Sequence, residues 1–180
     1  MLIAKQKKNE NIAEYLLYMW QVEDIIRAHK LDIESIQENI IDKFEQPDDI
    51  KNEIRDWYDG LIEMMKLESK TESGHLQINQ NIIIDLTDLH LRLLKSPKEP
   101  EYIASYYKTL PFIVELRSKS EDKSTPELET CFAALYGFLL LRLQQKEISG
   151  ETQAAISQIS SLLRMLSNRY HLDKEGKLEI

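Results

Sequence analysis

CFAALYGFLLL, residues 131–141, carries no charge, and Gly137 is its only residue without an apolar side chain. Glu129 and Thr130 precede the run and Arg142 follows it. It is too short to cross a bilayer, which takes about 20 apolar residues. A helix that is apolar on every side has to be covered by other protein. The run therefore predicts a helical bundle built around one buried helix, at about residues 126–146.

The rest of the composition agrees with such a bundle. The chain has 180 residues, the size of one ordinary domain. A domain of that length buries roughly 70% of its unfolded surface and needs no covalent staples. Cys131 is the only cysteine, so no disulfide forms within the chain. In its apolar setting it reads as a small buried side chain, because a reactive thiolate requires a polar, accessible environment. Lone cysteine usage fits a reducing compartment. Glycine and proline number five each, below the typical usage of about 7% and 5%. So few breakers favour long helices.

The net charge is −8, from 31 acidic and 23 basic residues. An acidic surface repels phosphate backbones and anionic lipid, which argues against nucleic acid and membrane as partners. The N-terminus, MLIAKQKKNE, places its lysines after a short apolar patch. A secretion signal has the opposite order and a longer apolar core. The expected location is the cytoplasm.

The breakers divide the chain into helical segments. The first runs from about Asn9 to His29. Asp32 caps a second, with Ile33, Ile36, Ile40 and Phe44 on one face. Pro47 suits the first turn of a third, since its missing N–H is not needed there. That segment carries Ile50, Ile54, Trp57, Leu61, Met64 and Met65 at helical spacing. A fourth covers about Leu76 to Lys95. Ser96 and Glu99 have capping-box spacing ahead of a fifth, although Pro100 could open that helix itself. Pro111 lies inside the fifth segment and predicts a kink. Residues 118–124 are polar and read as a mobile loop. Ser124 and Glu127 offer another capping box for the apolar sixth segment. Ser149-Gly150 starts a seventh, with Ile156, Ile159, Leu163, Leu166 and Tyr170 in one stripe. Gly176 marks a frayed tail at about 173–180. No useful length of sequence alternates with the period of a strand, and no repeat is convincing.

The usual reaction signatures are missing. The five glycines are isolated, so none forms a phosphate loop. His29, His75, His90 and His171 lie in four separate parts of the chain and form neither Glu-x-x-His nor His-Glu-x-x-His. One cysteine cannot build a zinc knuckle, and no serine sits in a Gly-x-Ser-x-Gly elbow. The reading is of no metal, no cofactor and no catalytic residue, with the balance against an enzyme.

Polar residues at apolar positions remain. On a wheel of 100° per residue, Ile12, Tyr15, Leu16, Met19, Val22 and Ile26 share one arc, and Glu23 falls inside it. A buried carboxylate is costly unless paired. Arg27, one turn later at the edge of the arc, is one partner, and an arginine from another helix is the other choice. In the fourth segment Gln77, Asn81, Asp85, Asp88, Arg92 and Lys95 form a solvated stripe, with Asp88 and Arg92 spaced for a surface pair. Asn79, Thr87 and His90 fall among the apolar positions instead. A satisfied core histidine is the ordinary reading of His90. A meeting of His90 with Glu23 across the bundle would give a pair that titrates near neutral pH. Glu23, Arg27, Asn79 and His90 are thus the candidate ligand-binding residues. Tyr102, Tyr106 and Tyr107 read as core packing with hydroxyls at the surface, or as an aromatic patch for a partner.

Residues 3–32, IAKQKKNENIAEYLLYMWQVEDIIRAHKLD, resemble the start of a bacterial family classified only as a domain of unknown function. The resemblance extends over most of the chain. It implies a compact helical protein and brings no activity, ligand or catalytic residue.

The sequence thus predicts an all-α single domain, residues 1–180, of six or seven helices. The leading expectation for function is a cytoplasmic interaction or structural protein that self-associates as a homo-oligomer or binds another protein. The alternative is a bundle holding a small apolar ligand near Glu23 and His90, and an enzyme of unrecognised type ranks last.

Overall fold

Sparse breakers and helical periodicity produce eight α-helices in the computed structural model, which describes residues 2–119 and 124–180. They are α1 (Leu2–Glu10), α2 (Ile12–Ala28), α3 (Ile33–Asn39), α4 (Asp48–Leu67), α5 (Gln77–Lys95), α6 (Pro100–Lys119), α7 (Glu127–Leu143) and α8 (Gly150–Lys174), with a 3-10 turn at Ile41–Lys43. Among the described residues there is no strand, so the all-α expectation is met, but α1, ahead of the expected first segment, makes the helices eight instead of six or seven. No helix among them is long and apolar enough to cross a membrane. The helices gather into two compact units, residues 1–10 with 14–82, and residues 11–13 with 83–180.

In the first unit α2 is the most deeply buried helix. Tyr15, Leu16, Met19, Trp20, Val22 and Ile26 are all buried, and so is Glu23. Each large aliphatic side chain of this kind contributes about 1.5–3 kcal/mol when removed from water. After α2 the chain reverses through Lys30 and Leu31, both left-handed at φ 55° and 60°, and the Leu31 N–H closes onto the Ile26 carbonyl. The Asp32 side chain then accepts from the Glu34 N–H and starts α3, as expected. α4 buries Ile54, Tyr58, Leu61, Ile62 and Met65, the stripe of a helix with one apolar face. The stripe is rotated slightly from the sequence reading, so Trp57 and Met64 are only half-buried.

The second unit contains the rest of α5 and a three-helix bundle of α6, α7 and α8. Glu99 pairs with Arg169, and Thr109 meets Gln158, so α6 and α8 run antiparallel. α8 buries Ile156, Ile159, Leu163 and Leu166 as predicted. At the other end of the unit's sequence, the Ile12 N–H donates to Ser167 Oγ.

The buried central helix is where sequence and structure part. In α7, burial covers Leu128, Thr130, Cys131 and Phe132. Ala133 is exposed, residues 134–141 are only partly covered, and Leu143 is 66% exposed. Apolar sequence states a need for cover, but neighbouring helices must supply it. Beyond Phe132 they supply only part of it. Residues 144–149 bring the chain straight into the first turn of α8, where Glu151, Thr152 and Gln153 are polar and exposed.

Two capping expectations also change. α7 starts at Glu127 with Pro126 in the cap position and no side-chain cap, so Ser124 and Glu127 form no capping box. Pro47 likewise precedes α4 instead of sitting in its first turn. Pro100 does open α6, while Ser96 Oγ accepts from Lys98. α6 continues through Pro111 as one helix. Of the loop expected at 118–124, residues 118 and 119 belong to α6 and residues 120–123 lie outside the described residues. α8 ends at Lys174, and the Lys177 N–H closes back onto the Leu172 carbonyl after Gly176 at φ 67°.

Candidate functional site

The candidate residues are distributed over two buried polar clusters, one in each unit. The first forms because α5 lacks a local cap. Leu76, whose carbonyl accepts from the Gln80 N–H, stands where a Ser, Thr, Asp or Asn usually sits. The first N–H groups of a helix need acceptors from somewhere. Two carboxylates from elsewhere in the unit supply them. Glu23 Oε1 accepts from the Leu76 N–H at 2.9 Å, and Glu68 Oε2 accepts from the Gln77 N–H at 2.7 Å. Negative charge at a helix N-terminus is also favoured by the helix dipole.

Glu23 is fully buried, with 0% of its surface exposed. Its Oε1 also accepts from Asn79 Nδ2 at 2.7 Å, and Oε2 lies 2.6 Å from His75 Nδ1. Nδ1 serves as donor in this contact in the tautomer that carries its proton there. The His75 ring stacks on Trp20, with centroids 4.0 Å apart and planes 8° apart. Three donors thus satisfy a charge that would otherwise be prohibitive in the core.

Arg27 does not pair with Glu23, which corrects the i,i+4 reading. Its guanidinium donates to Asp24 Oδ1 at 2.9 Å, to the Lys70 carbonyl at 3.2 and 3.3 Å, and to the Gly74 carbonyl. Arg27 therefore holds the loop that delivers His75. Gly74, at φ 79°, supplies the left-handed turn just before that histidine. Of the four candidates, Glu23 and Asn79 are joined directly, and Arg27 acts on the same loop.

His90 belongs to the second cluster. It is 4% exposed, and its Nδ1 lies 2.6 Å from Tyr102 Oη. Its ring meets Tyr102 and Tyr106 edge-on at 5.7 and 5.0 Å. The imidazole engaged by Glu23 is that of His75, so the neutral-pH pair proposed for Glu23 and His90 is not what either group forms. Burial lowers the His90 pKa, with the Glu127 carboxylate opposing the shift. Tyr106 Oη donates to Glu127 Oε2 at 2.9 Å. Burial and that hydrogen bond push the Tyr106 phenol up to about 12. Tyr102 is raised beyond the usual phenol range by burial. Cys131 is 0% exposed, and burial lifts its thiol to about 12. A thiol held neutral in this way is a packing group and a poor nucleophile.

The acidic residues of α5 behave as a solvated face. Asp85 and Asp88 are exposed. Asp85 pairs with Lys174, and Arg92 pairs with Asp173 in place of the expected Asp88. A shallow cavity of about 100 Å³ lies where α6 meets α8, lined by Phe112, Glu115, Lys119, Glu151 and Ile156 among others, and includes none of the four candidates. Sequence reasoning missed His75, Trp20 and Glu127. The uncapped start of α5 is the one signal that could have found the first of these.

Fold and clusters together define an all-α protein with a buried polar cluster in each unit. The chain belongs to the family described as a domain of unknown function (DUF4924), whose model matches residues 1–177. No curated protein and no solved structure matches the chain significantly.

Proposed function

We propose that this chain is a cytoplasmic interaction protein that self-associates. The observation that supports the reading is the incomplete cover over the second half of α7. Its run 131–141 is free of charge, yet from Ala133 onward every residue keeps some of its surface in water. A contiguous apolar surface left open on a soluble chain marks a place where another protein docks. The run also stands out on a chain with 30% charged residues. Light scattering of the purified protein tests the reading. The expected mass exceeds that of one chain, and Leu139→Glu on the open run lowers it. A mass of one chain at high concentration overturns self-association.

A second reading, a bundle that holds a small ligand, has one observation on its side. Asn79 is fully buried, and its Oδ1 accepts no hydrogen bond among the described residues. A donor group on a ligand would satisfy it. Native mass spectrometry of protein purified from cells tests this, and a mass equal to the bare chain removes it.

A further inference from the structure

Helix α6 carries a second open surface, and its pattern is more specific than that of α7. Ala104, Tyr107, Pro111, Val114 and Ser118 follow one another at spacings of three, four, three and four. All five are exposed, Tyr107 at 64% and Val114 at 57%. None is charged. A mean spacing of 3.5 residues is the period of the seam along which two helices coil about each other. The opposite face of α6, with Tyr102, Thr109 and Ile113, is the one buried in the bundle.

We propose that this stripe seats a second copy of the chain, with the two α6 helices antiparallel about a two-fold axis at Pro111. The inference rests on the self-association reading above and adds a second contact, on α6, beside the α7 run. The stripe is self-complementary in size. Under this symmetry Tyr107 faces the partner's Val114, Ala104 faces the partner's Ser118, and the two prolines meet. A large side chain thus opposes a medium one, and small opposes small, as packing at a two-fold interface requires. The charges agree. Lys108 and Glu115, each one residue past a stripe position, are both exposed. The antiparallel arrangement sets Lys108 against the partner's Glu115, twice by symmetry. A parallel pairing instead sets Lys108 opposite the partner's Ile103 and Glu115 opposite the partner's Leu110, and brings no opposite charges together. Among the described residues the Glu115 carboxylate is bonded only to Lys119, a surface i,i+4 pair with both side chains well exposed, and such a pair is easily exchanged.

A seam along one helix belongs with small interfaces, below about 1,200 Å², so the dimer is weak and is read at high protein concentration. Charge reversal tests it by sedimentation equilibrium on the full chain. Lys108→Glu alone and Glu115→Lys alone each replace two attractions by two repulsions, and each raises the dissociation constant about tenfold. The double variant, Lys108→Glu with Glu115→Lys, restores the wild-type value. Circular dichroism confirms that each variant remains folded, as substitutions at exposed positions permit. Single reversals that leave a wild-type dimer unchanged, or a double variant that fails to recover, overturn the α6 contact. If Leu139→Glu dissolves the dimer while the α6 variants do not, self-association stands and its seat is α7. A wild-type chain that stays monomeric overturns both.

Discussion

Helices α2 and α7 are equal in length and opposite in logic. α2 has a carboxylate in the middle of its apolar arc, yet Tyr15, Leu16, Met19, Trp20, Val22, Glu23 and Ile26 are all buried. α7 has an uncharged run, yet only its first part is fully covered. The difference lies in what surrounds each helix. Around α2 the neighbours supply apolar surface and, at one point, three hydrogen-bond donors matched to Glu23. Beyond Phe132, α7 meets only partial cover. Hydrophobicity measures how much a helix would gain from burial, and the presence of complementary neighbours decides whether it is buried.

Truncation of one leucine in each helix is the most forceful way to break this comparison. Leu16 is 0% exposed, so Leu16→Ala should destabilise the chain by about 2–5 kcal/mol through lost burial and a cavity. Leu139, only partly covered, should lose less, about 1–2 kcal/mol, between a surface and a core substitution. Urea unfolding of the two variants at low protein concentration measures both. Equal losses would mean that α7 is packed as tightly as α2.

A smaller effect is expected at the charge in α2. Glu23→Gln keeps the shape but replaces one acceptor oxygen by an NH₂ group. Turned toward Leu76 N–H and Asn79 Nδ2, that group sets donor against donor; turned toward His75, it makes the ring carry its proton on Nε2. The expected loss is about 1.5–3 kcal/mol, the range for hydrogen bonds to a buried charged group. The start of α5 should loosen with it, visible as faster amide exchange at Leu76. An unchanged unfolding midpoint would show that the carboxylate is dispensable to the cap.

How much of this was legible follows from the same contrast. Periodicity located α2 to α8, because it is a local property of the chain, but it did not find α1 ahead of Asn9. It also placed Glu23 inside the apolar arc of α2 correctly. The partner of Glu23 was not legible. The sequence offered Arg27 four residues away, and the structure uses His75, 52 positions on, from a loop held by Arg27 itself. Leu76 at the start of α5 was a clue that acceptors had to come from a distance, but it did not name them. The openness of α7 was hidden for a related reason. The apolar run records the helix's own preference and says nothing of the polar first turn of α8 that follows it.

The smallest effect sharpens the comparison between the two histidines of the clusters. His90 sits beside Tyr102 and Tyr106, with the Glu127 carboxylate also acting on it, and burial lowers its pKa from the ordinary 6.5. A depressed folded-state value means that the unfolded chain binds the proton more readily. Stability from this group is therefore fully present above about pH 6.5 and is lost as the pH falls through that value toward the folded-state pKa. The urea midpoint should decline between pH 7.5 and 5.5. His90→Asn removes the titrating ring and should lower stability at pH 7.5 while flattening that decline. A slope that survives the substitution would assign the pH dependence to another group, and the cluster around His90 would then be a passive part of the core.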